Sequence, residues 1–218
     1  MFDRSTRVAD IVLMNAATAS VFDRRYIDYC CRGTRELERA CAEHEVDVEL
    51  ILDELHVAAA ASPQDVDLRT ASTSALIHRV IAHQHRDLRA TLSLLTYEAA
   101  NLAQRQPSPR IVRHVRILLD ELSERIITHL DGEESDLFPA LLKTPVSNQA
   151  RVKLGLMFDD HRELTGLLRG LRAATGTYTP PDLVDPELRQ FFAGLRELDA
   201  LITRHHHVEN HVLLPRFR

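Results

Sequence analysis

The residues able to do chemistry in this chain are histidines and glutamates that recur at a fixed interval. His129 and Glu133 stand four apart, as do His205 and Glu209. Each pair runs on in the same way, into Leu137-Phe138-Pro139 or Leu213-Leu214-Pro215, so that H-x3-E-x3-L-[FL]-P occurs twice, 76 residues apart. Residues four apart share one face of a helix. A lone histidine precedes each pair by 44 residues, His85 before the first and His161 before the second, and these two are again 76 apart. One His/Glu pair at this spacing is common on exposed helices, and one histidine is more often a surface residue than a ligand. The duplicated spacing outweighs both objections. It is what a helical hairpin used twice about a pseudo-twofold axis would produce.

Such a hairpin pair would bring four imidazoles and two carboxylates into one core. The apolar residues one turn beyond each glutamate (Leu137, Phe138, Leu213, Leu214) argue that the glutamates point inward. A buried carboxylate is costly unless it is paired or bound to a metal. Six protein donors exceed the three or four that zinc takes. They suit two first-row ions, each with two histidine nitrogens, bridged by both carboxylates. Mixed imidazole and carboxylate favours iron or manganese, whereas copper(I) would want sulfur. A bridging oxide or hydroxide would leave each ion about five-coordinate, with a position open to a diatomic molecule. In the run 205–207, helical phase selects His205 as the partner of Glu209. His207 and His211 share the same interval, and solvent exposure is the expectation for His207. His78 and His83 are expected to be non-ligands, and Glu134 falls out of phase with His129.

The elements that must position these groups are helices. Glycine is scarce, at 7 residues, and Ala, Leu, Arg and Glu fill long stretches with apolar steps of three and four. The pattern predicts an all-α chain. Residues 1–61 read as a small helical domain, its clearest helices over Ala16–Asp23, Thr34–His44 and Asp47–Ala60, with Asp47 as an N-cap. A polar linker follows over 62–71, beginning Ser62-Pro63-Gln64-Asp65-Val66-Asp67. Four long helices are predicted over 72–218: Ser72–Gln104 up to Pro107-Ser108-Pro109, Arg110–Lys143 up to Pro145, Ser147–Thr175 before Gly176 and Pro180-Pro181, and Pro186 to about Leu214. Connections this short favour an antiparallel up-down-up-down bundle.

Asp28-Tyr29-Cys30-Cys31-Arg32-Gly33 is the other unusual element. Adjacent cysteines close only a strained disulfide, better suited to redox change than to structure. Arg24, Arg25 and Arg32 would favour the thiolate. The competing reading is a pair of half-buried small residues ahead of a helix. Cys41 reads as an inert core residue.

Bulk composition narrows the function classes. With 27 Lys and Arg against 32 Asp and Glu, the net charge of −5 offers no electrostatic footprint for nucleic acid. No apolar run approaches the about 20 residues of a membrane span. The N-terminus lacks the features of a secretion signal, and three cysteines do not make a disulfide framework. The chain reads as cytoplasmic. Twelve histidines against four tyrosines and no tryptophan are in keeping with metal chemistry.

Over nearly its whole length the chain resembles the Repair of Iron Centres proteins, di-iron members of the wider hemerythrin-like group. The N-terminal segment carries their Asp28-Tyr29-Cys30-Cys31-x-Gly33 signature and the Asp47-Val48-Glu49 to Leu55 helix. Their ligand positions fall on His85, His129, Glu133, His161, His205 and Glu209. Leu214 departs from the common phenylalanine. The resemblance implies two non-haem irons with an oxo or hydroxo bridge, and repair of iron-sulfur clusters damaged by nitric oxide or peroxide through iron release from a labile centre. Cys30 and Cys31 would then be redox or iron-transfer thiols. The partners implied are damaged iron-sulfur proteins, with nitric oxide or oxygen as small ligands, and a homodimer is compatible with it. A turnover enzyme reducing nitric oxide to nitrous oxide is the alternative. An oxygen carrier is disfavoured, because the cysteine domain has no part in carriage and the set lacks a fifth histidine. A purely structural bundle would bind no metal.

Overall fold

The structure, a computed structural model, describes residues 2–62, 67–105, 110–180 and 186–217. Of the expected breaks, 63–66 of the linker, Pro107 to Pro109 and Pro181 lie outside the described residues. Among the described residues no strand forms, and the only paired extended backbone is an isolated antiparallel bridge between Arg7 and Glu36. Among the described residues no helix is long and apolar enough to cross a membrane. By backbone contacts the chain groups into two units, one of 1–76 with 203–218 and one of 77–202.

The larger unit is an antiparallel helical bundle. The first bundle helix runs through Thr73–Arg79, a π turn at Val80–His85, and Arg86–Gln104. Leu88, Leu92, Leu95, Ala99 and Leu102 bury one stripe of it at the three- and four-residue steps read from the sequence. The second comprises Arg110–Gly132, a π turn at Glu133–Leu137 and Phe138–Leu141, with Val115, Leu119, Leu122, Ile126 and Leu130 inward. The third, Asn148–Ala174, starts where the Ser147 side chain accepts a hydrogen bond from the Ala150 amide. It stops before Gly176, which takes the left-handed φ of 57° that favours glycine. His161 belongs to its buried row, between Met157 and Leu164. The fourth, Pro186–Val208, opens with proline in the position where a missing amide costs nothing, and ends in a π turn at Glu209–Leu213. Close packing of the first and fourth helices requires Gly194, where an added Cβ would lie 2.7 Å from the Leu95 side chain.

The smaller unit departs from the expected boundaries. Val8–Met14 is a helix that the sequence reading left unassigned. The Ala16–Asp23 prediction resolves into a 3-10 turn at Ala16–Thr18, capped by Asn15, and a helix at Ala19–Asp23. The helix expected from Thr34 starts only at Leu37. Glu36 is held extended by its bridge to Arg7, while the Val8 amide donates to the Arg35 carbonyl. Asp47 caps Val48–Ala61 as expected, accepting from the Glu49 amide. Val8, Ile11, Phe22, Tyr29, Leu37 and Leu55 are fully buried in its core.

Candidate metal centre

In the larger unit four of the expected ligands converge. Glu133, 3% exposed, sits on the second helix between two histidines from different helices. Its Oε2 lies 3.3 Å from His85 Nε2 and its Oε1 lies 3.3 Å from His129 Nε2. His161 then brings its Nε2 to 3.2 Å from His129 Nε2. All these side chains are buried. The separations are longer than charge-assisted hydrogen bonds, which close to about 2.7–2.9 Å. They match instead the edge between two donors on one ion: ligands at about 2.1 Å stand about 3.0–3.4 Å apart between right-angled and tetrahedral geometry. Each Glu133 oxygen faces a different histidine, as in a carboxylate spanning two ions.

The local backbone explains this aim. Glu133 begins a π turn and His85 ends one. The extra residue in a π turn shifts the register of the side chains that follow, and such turns concentrate at functional sites. His85 is further fixed through its other nitrogen, Nδ1, which lies 2.8 Å from Glu134 Oε1. Arg89 donates to the same oxygen at 3.0 Å and to Asp131 at 2.7 Å. Burial alone would raise the Glu134 carboxyl, yet these hydrogen bonds from His85 and Arg89 hold it below the ordinary carboxylate value. Glu134, out of phase with His129, accepts from the far nitrogen of His85, a contact not foreseen from the sequence. A cavity of about 400 Å³ opens beside His129 and Glu133, walled by Met157 and Leu164 with Arg125 and Lys153 in its lining. His78 and His83 are exposed.

The second His/Glu pair repeats the first. His205 Nε2 lies 3.4 Å from Glu209 Oε2, both side chains are fully buried, and Glu209 again opens a π turn. In the same run His207 departs from expectation. His207 is not solvent-exposed but 4% exposed, and its Nδ1 donates to the Tyr29 carbonyl at 3.1 Å. Burial, with the nearby His211, pushes its pKa down to about 3, so it is neutral. His206 is fully buried. His207 is buried where it meets the Tyr29 carbonyl, a partner distant in sequence that a single-face argument does not see.

Residues 76–217 match the hemerythrin HHE cation-binding domain. The chain belongs to the hemerythrin HHE family. Residues 4–69 match a second family, ScdA_N, described as a domain of unknown function. Along 214 residues the chain is 29% identical to proteins named iron-sulfur cluster repair protein YtfE, from Escherichia coli O17:K52:H18 (strain UMN026 / ExPEC), Escherichia coli O8 (strain IAI1) and Shigella boydii serotype 4 (strain Sb227). The match covers 98% of this chain and 96% of each relative. A hemerythrin HHE domain is a helical, metal-binding one, in agreement with the clustered histidines and glutamates.

In the segment that matches ScdA_N, Cys30, Cys31 and Cys41 are free thiols. The Cys30 and Cys31 sulfurs lie 3.5 Å apart. The arginines expected to favour thiolate are engaged elsewhere: Arg24 and Arg25 pair with Glu54, and Arg32 with Glu43. The Cys30 thiol is accordingly pushed up rather than down, by its hydrogen bond to Cys31, by burial and by the Asp28 charge. Cys41 is buried, as expected, and burial raises its pKa to about 11.

Proposed function

We propose that this hemerythrin HHE protein repairs iron-sulfur clusters damaged by oxidative or nitrosative stress in the cytoplasm, by donating iron from a carboxylate-bridged di-iron centre. The ligands in this reading are His85, His129, Glu133, His161, His205 and Glu209, with an oxo or hydroxo bridge completing the pair. One observation carries it: the two oxygens of Glu133 each stand 3.3 Å from a different histidine nitrogen, the disposition of a bridging carboxylate. The equal 76-residue spacing of the second His/Glu pair, and its equivalent π turn, support the other half. The printed name of the relatives supports the repair role. Residues 1–61 then act as a cysteine-bearing module and 72–218 as the iron-carrying bundle, joined by 62–71.

Two irons held by these residues would supply a centre able to change charge and to bind a small molecule. The chain's own groups set how firmly it is held. Glu134 and Arg89 hold the His85 ring in one orientation, an outer partnership that strengthens a ligand. Met157 and Leu164 keep one side apolar, while the cavity beside His129 and Glu133 leaves room for a diatomic molecule to approach.

The test is anaerobic incubation of the iron-loaded protein with a nitric oxide-damaged iron-sulfur enzyme, measuring recovered activity and iron left on each protein. Iron should leave this protein as activity returns. Full recovery with iron retained, or sustained conversion of nitric oxide to nitrous oxide with iron retained, would replace donation by a turnover reading.

A further inference from the structure

The 203–218 segment fastens the cysteine loop at three points. His207 Nδ1 donates to the Tyr29 carbonyl at 3.1 Å, and His211 Nε2 donates to the Cys30 carbonyl at 2.7 Å. The Asn210 amide also reaches the Cys30 carbonyl, at 3.4 Å. From the other side, one Asp28 oxygen accepts from the amides of Cys30 at 3.0 Å and Cys31 at 2.8 Å. Gly33 permits this approach, since a Cβ there would collide with the Tyr29 carbonyl and the Ala9 methyl and lie 2.9 Å from His211 Nε2. The loop is therefore held against one helix face rather than merely tethered at its ends. His206, fully buried, stands on that helix between the fastening residues and the His205 position.

We propose that Cys30, Cys31 and His206 form a second metal site, with two thiolates and one imidazole, for a borderline divalent ion such as iron(II) or zinc(II). The two sulfurs and a His206 ring nitrogen all lie within 4.8 Å of one another. A sulfur separation of 3.5 Å is far from the about 2.05 Å of a disulfide. It is close to the about 3.8 Å between sulfurs bound tetrahedrally at about 2.3 Å. The donor chemistry is unlike that of the carboxylate-rich centre: soft thiolates with imidazole select zinc and iron over calcium or magnesium. Binding forms two metal–sulfur bonds and one metal–nitrogen bond while both thiol protons pass to the buffer, and no electron changes hands. Three protein donors leave the fourth tetrahedral position to water or an incoming ligand, and Cys31, half-buried where Cys30 is buried, is the side from which it would enter. The site stands on these three groups alone and does not depend on iron occupying the other centre.

Cobalt(II) titrated into the full-length, iron-loaded protein under anaerobic conditions tests the assignment. One equivalent should produce a sulfur-to-cobalt charge-transfer band in the near ultraviolet, with release of both thiol protons. Cys30→Ser and Cys31→Ser should each abolish the band, and Cys41→Ser should leave it intact. Cys31→Ser carries most weight, because the half-buried side chain can change without disturbing the core, as circular dichroism would verify. His206→Gln should weaken cobalt binding by more than the about 10–100-fold that loss of an outer partner costs. Absence of the band, its survival in Cys31→Ser, or its loss in Cys41→Ser would overturn the site. Bleaching of the band by zinc(II) or iron(II) supports the proposed class of ion, and failure of both to displace cobalt overturns it.

Discussion

Two clusters of buried polar groups occupy the same bundle and are built in opposite ways. Around Asp199, charges cancel inside the protein. Arg172 donates to both carboxylate oxygens at 2.6 and 2.5 Å, and the Tyr178 hydroxyl adds a third hydrogen bond at 2.6 Å. Around Glu133 the neighbours are imidazoles at 3.3 Å, one for each oxygen. A bidentate guanidinium closes on a carboxylate because the two are planar and complementary. The histidines instead stand with the carboxylate at separations that would suit donors sharing an ion. The first cluster is a structural network and the second the proposed binding site. Distance separates them where burial does not.

The largest effect that follows from this difference falls on the structural cluster. Asp199→Ala would leave Arg172 buried without its carboxylate and Tyr178 without its acceptor, and breaking a buried pair from one side costs about 3–5 kcal/mol. At about 2–4 °C per kcal/mol for a chain of this size, the melting temperature should fall by about 10 °C. Iron bound per folded chain should not change. A fall in iron stoichiometry at a temperature where the variant is folded would mean that the two clusters are not separable.

Glu133→Gln should act in the reverse sense. The neutral amide keeps the shape and removes a buried charge, so the iron-free variant should be no less stable than the iron-free parent, with a gain of about 1 kcal/mol within reach. Iron bound per chain should drop by at least one ion. Chelation should destabilise the parent by about 2.7 kcal/mol if free iron had been held at about a hundred times its dissociation constant, and should hardly affect the variant. Differential scanning calorimetry of both proteins, with and without chelator, reads all four values. An iron-free Glu133→Gln that melted well below the iron-free parent would place Glu133 with Asp199 as a structural acid. His129→Ala and Glu209→Ala carry the same expectation for iron, and either variant retaining two irons would break the ligand assignment.

The contrast between the clusters also marks what a sequence can disclose. The candidate row is legible because it is periodic: His129 and Glu133, His205 and Glu209, and the lone His85 and His161 repeat at one interval, and helical phase converts interval into face. The bundle was legible for the same reason, with Ser147 and Pro186 marking helix starts by local chemistry. Features that depend on distant partners were not. Nothing local forecasts the π turns at Val80–His85, Glu133–Leu137 and Glu209–Leu213, since the surrounding residues are ordinary helix formers. The burial of His207 depends on a loop about 180 residues away, whose Tyr29 carbonyl it meets. The arginines near Cys30 were misjudged because sequence proximity says nothing of Glu54 and Glu43, which engage them.

The smallest expected effect sharpens the boundary between holding a ligand and being one. Glu134 meets His85 at its far nitrogen, 2.8 Å from Nδ1, accepts from Arg89 on the same oxygen at 3.0 Å, and has a side chain 34% exposed. Its removal should therefore spare the fold. Glu134→Ala takes away the acceptor that orients the His85 ring, and loss of such a partner costs about 10–100-fold in metal affinity. Glu134→Gln retains an oxygen able to accept from Nδ1–H and discards only the charge, so its loss should sit at or below the lower end of that range. Competition against a chromophoric iron(II) chelator ranks the parent, Glu134→Gln and Glu134→Ala in that order, while their iron-free melting temperatures agree within about 2 °C, the shift expected of an exposed substitution worth about 0.5 kcal/mol. Equal affinities would show that packing against Phe138, whose ring stacks 5.7 Å from that of His85, is enough to fix the imidazole without a hydrogen bond.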